Sequence, residues 1–300
     1  MSPFREKSDG GQCGPTADDP SDGTGPSRHA VLVPMTATEL RGNTIYDHLG
    51  VRSLPIDEQS AETRMPVTSD IRTAGGLRAA PLGLAFEQGV ASYLFRKVLA
   101  VPSQISLHVR DRGDNVQGIR SETRIVRLGR TLVATDGEIR DADDPHRLIA
   151  YGWIAWSVIG EAPIRDASAH PAEEAPFEPA GVDVVTASGI TPLPDGSGCR
   201  LEGYTAQTSG PGGILHAGML QLLSEEAALI AAGAATGATK LMATDCTYNF
   251  LQPGKAGPFI STAEVICVGD EGVDTKVAVH DEGNENRTLS VSFVRVRPLS

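Results

Sequence analysis

The sequence predicts an α+β protein of two repeats in tandem, each an antiparallel sheet wrapped round a central helix, so that one chain forms a pseudo-dimer. Three observations point there. Two stretches rich in Gly, Pro and small or polar residues mark off two blocks of similar length. Glycine and proline landmarks recur in the same order in both blocks. Each block also sets one long Ala/Leu segment ahead of a series of strand-like segments.

Residues 1–30 have little to bury and are expected to be disordered. Residues 31–160 are read as the first repeat, 161–181 as a linker stiffened by Pro163, Pro171, Pro176 and Pro179, and 182–300 as the second repeat. Gly50, Leu54 and Pro55 precede Gly189, Leu193 and Pro194 by 139 residues. The pair Gly75-Gly76 precedes Gly212-Gly213 by 137, and Gly129 precedes Gly269 by 140. A spacing that drifts so little implies one unit duplicated, with small changes in the loops.

The elements follow in the same order in each block. A first strand (ETRMPVTS, CRLEGYTA) leads through a glycine turn to a helix, expected over 82–99 and 217–232. Leu220, Leu223, Ala227 and Ile230 fall at helical spacing with Leu222 and Leu229 beside them, the pattern of a helix buried on most sides. SQISLHV and TYNFL alternate, and GIRSETRIVRL and FISTAEVICV are longer strands. LVATDGEIRD with LIAYGWIAWSV, and TKVAVHD with TLSVSFVRV, read as hairpins. A curved sheet closing on a helix buries both apolar faces at once.

The chain has 300 residues, 40% of them hydrophobic, and a formal net charge of −12. That charge argues against a general nucleic-acid binder and against adhesion to an anionic membrane. Cys13, Cys199, Cys246 and Cys267 form no CxxC pair and have no His at zinc-finger spacing, so neither a metal site nor a disulfide framework is expected. No apolar run reaches the ~18–20 residues of a membrane span. These features describe a cytoplasmic protein without a metal or redox cofactor.

The segment GGILHAGMLQLLSEEAA carries His216, Ala217 and Gly218 at a helix start, with Glu225 nine residues after the histidine. It resembles the signature of hotdog-fold acyl-CoA thioesterases, the group of the 4-hydroxybenzoyl-CoA and phenylacetate-pathway enzymes. NFLQPGKAGPFISTAEVICVG and RLGRTLVATDGEIRD are similar to strands of the same family. The resemblance implies the tandem hotdog form, hydrolysis of an acyl-CoA thioester with coenzyme A entering only as part of the substrate, and active sites between two hotdog units. It also implies further pairing of such chains into a homodimer.

The residue types suit that chemistry. The unpaired amides and partial positive charge of a helix N-terminus stabilise an oxyanion. Ala217 and Gly218 are small enough for close approach to the backbone, and a carboxylate serves as general base or nucleophile. Ala217 and Glu225 lie roughly 12 Å apart along one helix, so the amides facing Glu225 must come from the other repeat. At the 137-residue spacing His216 falls on Ala79, Ala217 on Ala80, Gly218 on Pro81 and Glu225 on Gln88. The expected site therefore joins Glu225 to Ala80. The mirrored site joins His216 and Gly218 to Gln88, which cannot act as a base; Glu87 takes the role if the register shifts by one.

Substrate contacts are expected from Gly210, six residues before the histidine, and Ser209 beside it, from Thr73, the counterpart of Gly210, and from Asn249 in TYNFL. Arg110, Arg112, Arg130 and Lys255 are read as surface charges. Two rival functions remain: a protein that binds acyl-CoA or acyl carrier protein without cleaving it, and a hotdog dehydratase or hydratase. The latter resemble one another through an Asp followed five residues later by a His, which neither helix has.

Overall fold

The computed structural model describes residues 44–162, 181–205, 207–210 and 213–299. The expected disordered stretch 1–30 and nearly all of the expected linker lie outside them. The described residues belong to one compact unit.

The first half begins with a single-turn helix α1 (Ile45–His48), followed by β1 (Arg52–Pro55) and β2 (Ser60–Pro66). A tight turn between β3 (Arg72–Thr73) and β4 (Gly76–Leu77) leads into the core helix α2 (Ala79–Leu94). Four long strands complete the half: β5 (Val98–Val109), β6 (Gly118–Leu128), β7 (Leu132–Asp141) and β8 (Leu148–Glu161). The second half runs in the same order. Short helix α3 (Val184–Ala187), β9 (Ile190–Pro192) and β10 (Gly198–Leu201) precede the turn of β11 (Ser209–Gly210) and β12 (Ile214–Leu215). The core helix α4 (Ala217–Thr236) leads to β13 (Leu241–Phe250), β14 (Phe259–Gly269), β15 (Gly272–Asp281) and β16 (Arg287–Pro298).

Twelve strands form one antiparallel sheet in the order β1-β2-β6-β7-β8-β5-β13-β16-β15-β14-β10-β9. The order is the same read from either end through equivalent strands, and its centre is the pairing of β5 with β13. There Asp245 lies opposite His108, Thr247 opposite Ser106, and Asn249 opposite Gln104. The two wrapped sheets expected from the sequence are thus one continuous sheet. The seam joins the first long strand of each half, which removes two exposed edges at once.

Both core helices lie against the inner face of this sheet. Fourteen of the sixteen residues of α2 are buried, which accounts for its Ala- and Leu-rich composition. It starts at Ala79 rather than Leu82, because Pro81 is tolerated in a first turn whose amides have no helical partner. It stops at Leu94, and the apolar run beyond it continues as β5. Helix α4 extends to Thr236 and ends at Gly237, whose φ of 70° is left-handed and suits a glycine cap. The two helices pack on small residues. A Cβ on Gly218 would overlap the Leu84 side chain, and one on Gly83 would overlap the Gln221 amide. A single hydrophobic core contains residues from both halves.

The helices begin at Ala79 and Ala217, 138 residues apart. This corrects the register taken from the glycine pairs. Two residues separate β3 from β4 and three separate β11 from β12, so the second turn is one residue longer. His216 therefore corresponds to Arg78, Ala217 to Ala79, Gly218 to Ala80 and Glu225 to Glu87. The first half has kept its acid.

Candidate active site

The two core helices cross, and each buries a glutamate from its middle against the other, Glu225 at the first turn of α2 and Glu87 at Gln221 of α4. At the start of α2, the Glu225 carboxylate accepts hydrogen bonds from the Ala79 amide at 2.7 Å and the Ala80 amide at 2.9 Å. The side chain is fully buried. It thus caps the opposite helix, satisfying two amides that have no acceptor within α2. Arg78, the N-cap residue, makes no capping bond of its own. Its guanidinium donates to Glu226 Oε2 at 2.8 Å and to Asp183 Oδ2 at 3.2 and 3.3 Å. Burial opposes the arginine's charge, but Glu225, Glu226 and Asp183 outweigh it and hold its pKa above the ordinary value. Burial pushes the Glu225 carboxyl up, while Arg78 and the two amides pull it back.

The start of α4 is different. His216 is its N-cap, and Nδ1 accepts from the Gly218 amide at 3.0 Å. An accepting Nδ1 is unprotonated, and burial lowers the ring's pKa to about 4, so the histidine is neutral near pH 7. The Tyr46 ring meets it edge-on, with centroids 5.0 Å apart. Glu87 is buried and receives one long bond, 3.3 Å, from Gln221 Nε2. Burial raises its pKa to about 8, with the Gln221 bond pulling the other way. The Tyr46 hydroxyl is pushed up by burial and by Glu87. Gln221 is fully buried, and its Oε1 has no partner among the described residues. Nor does any described residue accept from the Ala217 amide.

The short helices cover these sites reciprocally. Asp183, the N-cap of α3 in the second half, binds Arg78 of the first. Tyr46 on α1 in the first half packs against His216 of the second.

The other residues singled out from the sequence are placed as follows. Gln88 is half-buried beside Glu87. Thr73 Oγ1 donates to the Leu241 carbonyl at 2.7 Å, tying the first turn to β13. Ser209 and Gly210 pair with β12, and a Cβ on Gly210 would stand 3.3 Å from the His216 Cα. Asn249 spends its amide at the seam, accepting from Gln104 Nε2 and donating to the Val291 carbonyl, each at 3.0 Å. Arg110 lies on the outer face with Asp245 and Tyr151, and Arg112 binds the Gly75 carbonyl. Tyr46, Arg78, Asp183 and Gln221 were not singled out, and Glu87 only on a shifted register. Matching Leu77-Arg78 to Leu215-His216, instead of the glycine pairs, would have found two of the five. Among the described residues no cluster of His, Cys, Asp or Glu could hold a metal ion. No helix is long and apolar enough to cross a membrane.

A helix buried on a curved antiparallel sheet, present twice and joined edge to edge, defines the class: a hotdog fold. Residues 212–287 match the family model described as Thioesterase superfamily, a stretch that holds β12, α4 and β13 through β15. A provisionally named thioesterase II from Thermobifida fusca is 14% identical, covering 90% of this chain and 100% of its own, with a TM-score of 0.61. Acyl-CoA thioesterase II TesB2 from Mycobacterium marinum is 13% identical over 86% of this chain and 99% of its own, with a TM-score of 0.55. A protein of unknown function from Alicyclobacillus acidocaldarius, named for its hotdog fold, is 11% identical over 85% and 98%, with a TM-score of 0.51. At these identities the likeness is one of fold. No curated protein matches in sequence.

Proposed function

We propose that this chain is a thioester hydrolase acting on acyl-CoA, two fused hotdog units (31–160 and 182–300) with its chemistry where the helices cross. One observation carries the reading: the Glu225 carboxylate lies on the Ala79 and Ala80 amides, so an acid from one half meets the helix start of the other. At a crossing of this kind whose helix-start amides are left to the substrate, a carbonyl would have oxyanion-stabilising amides on one side and a carboxylate able to take a proton from water on the other. Two acids qualify, Glu225 with Ala80 at the start of α2 and Glu87 with His216, Ala217 and Gly218 at the start of α4. The family match over the second half supports the reaction class. The name of one structural relative, acyl-CoA thioesterase II TesB2, supports coenzyme A as the carrier. A soluble cytoplasmic homodimer that needs no cofactor beyond the substrate's coenzyme A completes the proposal.

The second reading is binding of acyl-CoA without turnover. It is favoured by the resting geometry at Glu225, where both carboxylate oxygens already occupy the amides a substrate would need. Free-thiol release from short, long and aryl acyl-CoAs, run beside calorimetric titration with the same compounds, separates the two. Hydrolysis of at least one supports the enzyme; binding to several with no thiol release leaves only the binding protein.

A further inference from the structure

The two crossings occupy equivalent places but have opposite hydrogen-bond states. At the start of α2 the protein has used every donor. Glu225 takes the Ala79 and Ala80 amides, Pro81 has no N–H, and Arg78 is divided between Glu226 and Asp183. A thioester carbonyl arriving there would have to displace a buried carboxylate from two short bonds. At the start of α4 the donors are open or weakly held. The Ala217 amide faces no described acceptor, and the Gly218 amide is held by a neutral imidazole nitrogen. Among the described residues Glu87 accepts one long bond, 3.3 Å from Gln221 Nε2 to Oε2. The fully buried Gln221 beside it leaves its own carbonyl oxygen unpartnered. An unsatisfied polar atom this deep costs stability, as does a carboxyl with so few partners; such groups persist where a ligand completes them. The cluster comes nearest to solvent at Tyr46, which is half-buried while His216, Glu87 and Gln221 are buried.

Resting on the hydrolase reading, we infer that Glu87 is the catalytic carboxyl of this chain, working with the α4 helix start, and that the Glu225 crossing is a closed structural lock. Water attacks the thioester carbonyl carbon as the Glu87 carboxylate removes one of its protons. The new oxyanion is held by the Ala217 amide, joined by the Gly218 amide once His216 turns aside. Collapse of the intermediate breaks the C–S bond. The proton on Glu87 passes to the leaving sulfur, giving a carboxylic acid, a thiol and the original carboxylate. The base form is required, and burial raises the Glu87 pKa to about 8, so turnover should increase with pH up to about 8 and then level off. The titratable neighbours are Tyr46 on α1 and, beyond it, His216 on α4, both uncharged near neutrality. No charged side chain contributes to the Glu87 shift.

The test is Glu87→Gln, a near-isosteric change, in the full chain with a thioester that the wild type hydrolyses. The expected result is a fall in kcat of ~100-fold or more, with KM changed far less, and loss of the rise toward pH 8. Melting at pH 5 should match the wild type, showing that the loss is not one of folding. Wild-type turnover by a folded Glu87→Gln protein overturns the inference and leaves the hydrolase reading intact. A wild type that cleaves no acyl thioester overturns that reading, and the role of Glu87 with it.

Discussion

The state of Glu87 can be read from stability without any substrate. Its carboxyl is buried, lacks a cation and is raised from 4.5 to about 8 in the folded chain. A group whose folded pKa is raised binds its proton more tightly folded than unfolded. Its contribution is therefore complete below about pH 4.5 and is lost as pH rises through about 8. At about 1.4 kcal/mol per pH unit, the full window corresponds to a loss of about 3–5 kcal/mol. His216 acts in the opposite sense. Its folded pKa, about 4, lies below the unfolded value of 6.5, so its stabilisation appears as pH rises through that window. The two slopes oppose each other between about 4.5 and 6.5, and Glu87 alone acts above. Subtracting the melting profile of Glu87→Gln from that of the wild type removes His216 and every other shared group. The variant should melt with the wild type at pH 5 and above it at pH 9, by on the order of 5–10 °C for a chain of this size. Melting followed by far-ultraviolet circular dichroism at five pH values is sufficient. A difference that stays constant with pH would show that Glu87 is not held neutral and would refute the account of the α4 site.

Three further outcomes follow from other contacts. Arg78→Met leaves Glu225, Glu226 and Asp183 facing one another without their cation, and should cost about 2–4 kcal/mol by urea unfolding; a loss under ~0.5 kcal/mol would mean that the cluster is not a lock. Asp281 is fully buried and accepts from the Lys255, Ala256 and Gly257 amides at 2.8, 3.1 and 2.7 Å. Replacing it with Ala should destabilise by about 3 kcal/mol and loosen the 254–258 loop, detectable as faster amide exchange there. Gly218→Val drives a side chain into Leu84 at the helix crossing and should lower stability by about 1–3 kcal/mol, while Ala at the same position should cost less.

Much of the fold was legible because the repeat, the Ala/Leu helices and the alternating strands each carry a period that burial dictates. Tyr248, Phe259 and Leu223 lie in the core as their segments required. Two things were not legible. The β5–β13 seam depends on which edge strands meet, and no local pattern distinguishes SQISLHV as an edge from SQISLHV as an interior strand. The site was mis-registered by one residue because a glycine pair marks a turn, and turn length is free to vary, while the helix behind it is fixed by packing. Leu77 and Leu215, fixed in the core at the ends of β4 and β12, were the better anchors. Glu225 stood out through its motif. Glu87 has no motif around it, and only the shared helix geometry identifies it as the equivalent residue.

The difference between the crossings also says what a single chain makes available. In a symmetric dimer of identical units, any residue at the N-cap of the core helix occurs at both sites. An arginine there would lock both, and a histidine would leave both open. With the two units in one sequence, the first has Arg78 where the second has His216. The short helix facing each has followed suit, offering Asp183 to the arginine and Tyr46 to the histidine. The buried charges of the first crossing gain by being fully partnered, since an unpaired charge at that depth costs several kcal/mol. The second crossing can then keep, among the described residues, an unpartnered Gln221 oxygen and a destabilised carboxyl, groups that a protein with no rigid partner site would hold less readily. On this argument restoring symmetry should be costly in one direction only. His216→Arg would place a cation at the second crossing, draw the Glu87 pKa down and close the open site. Arg78→His would leave Glu225, Glu226 and Asp183 short of a partner without opening anything.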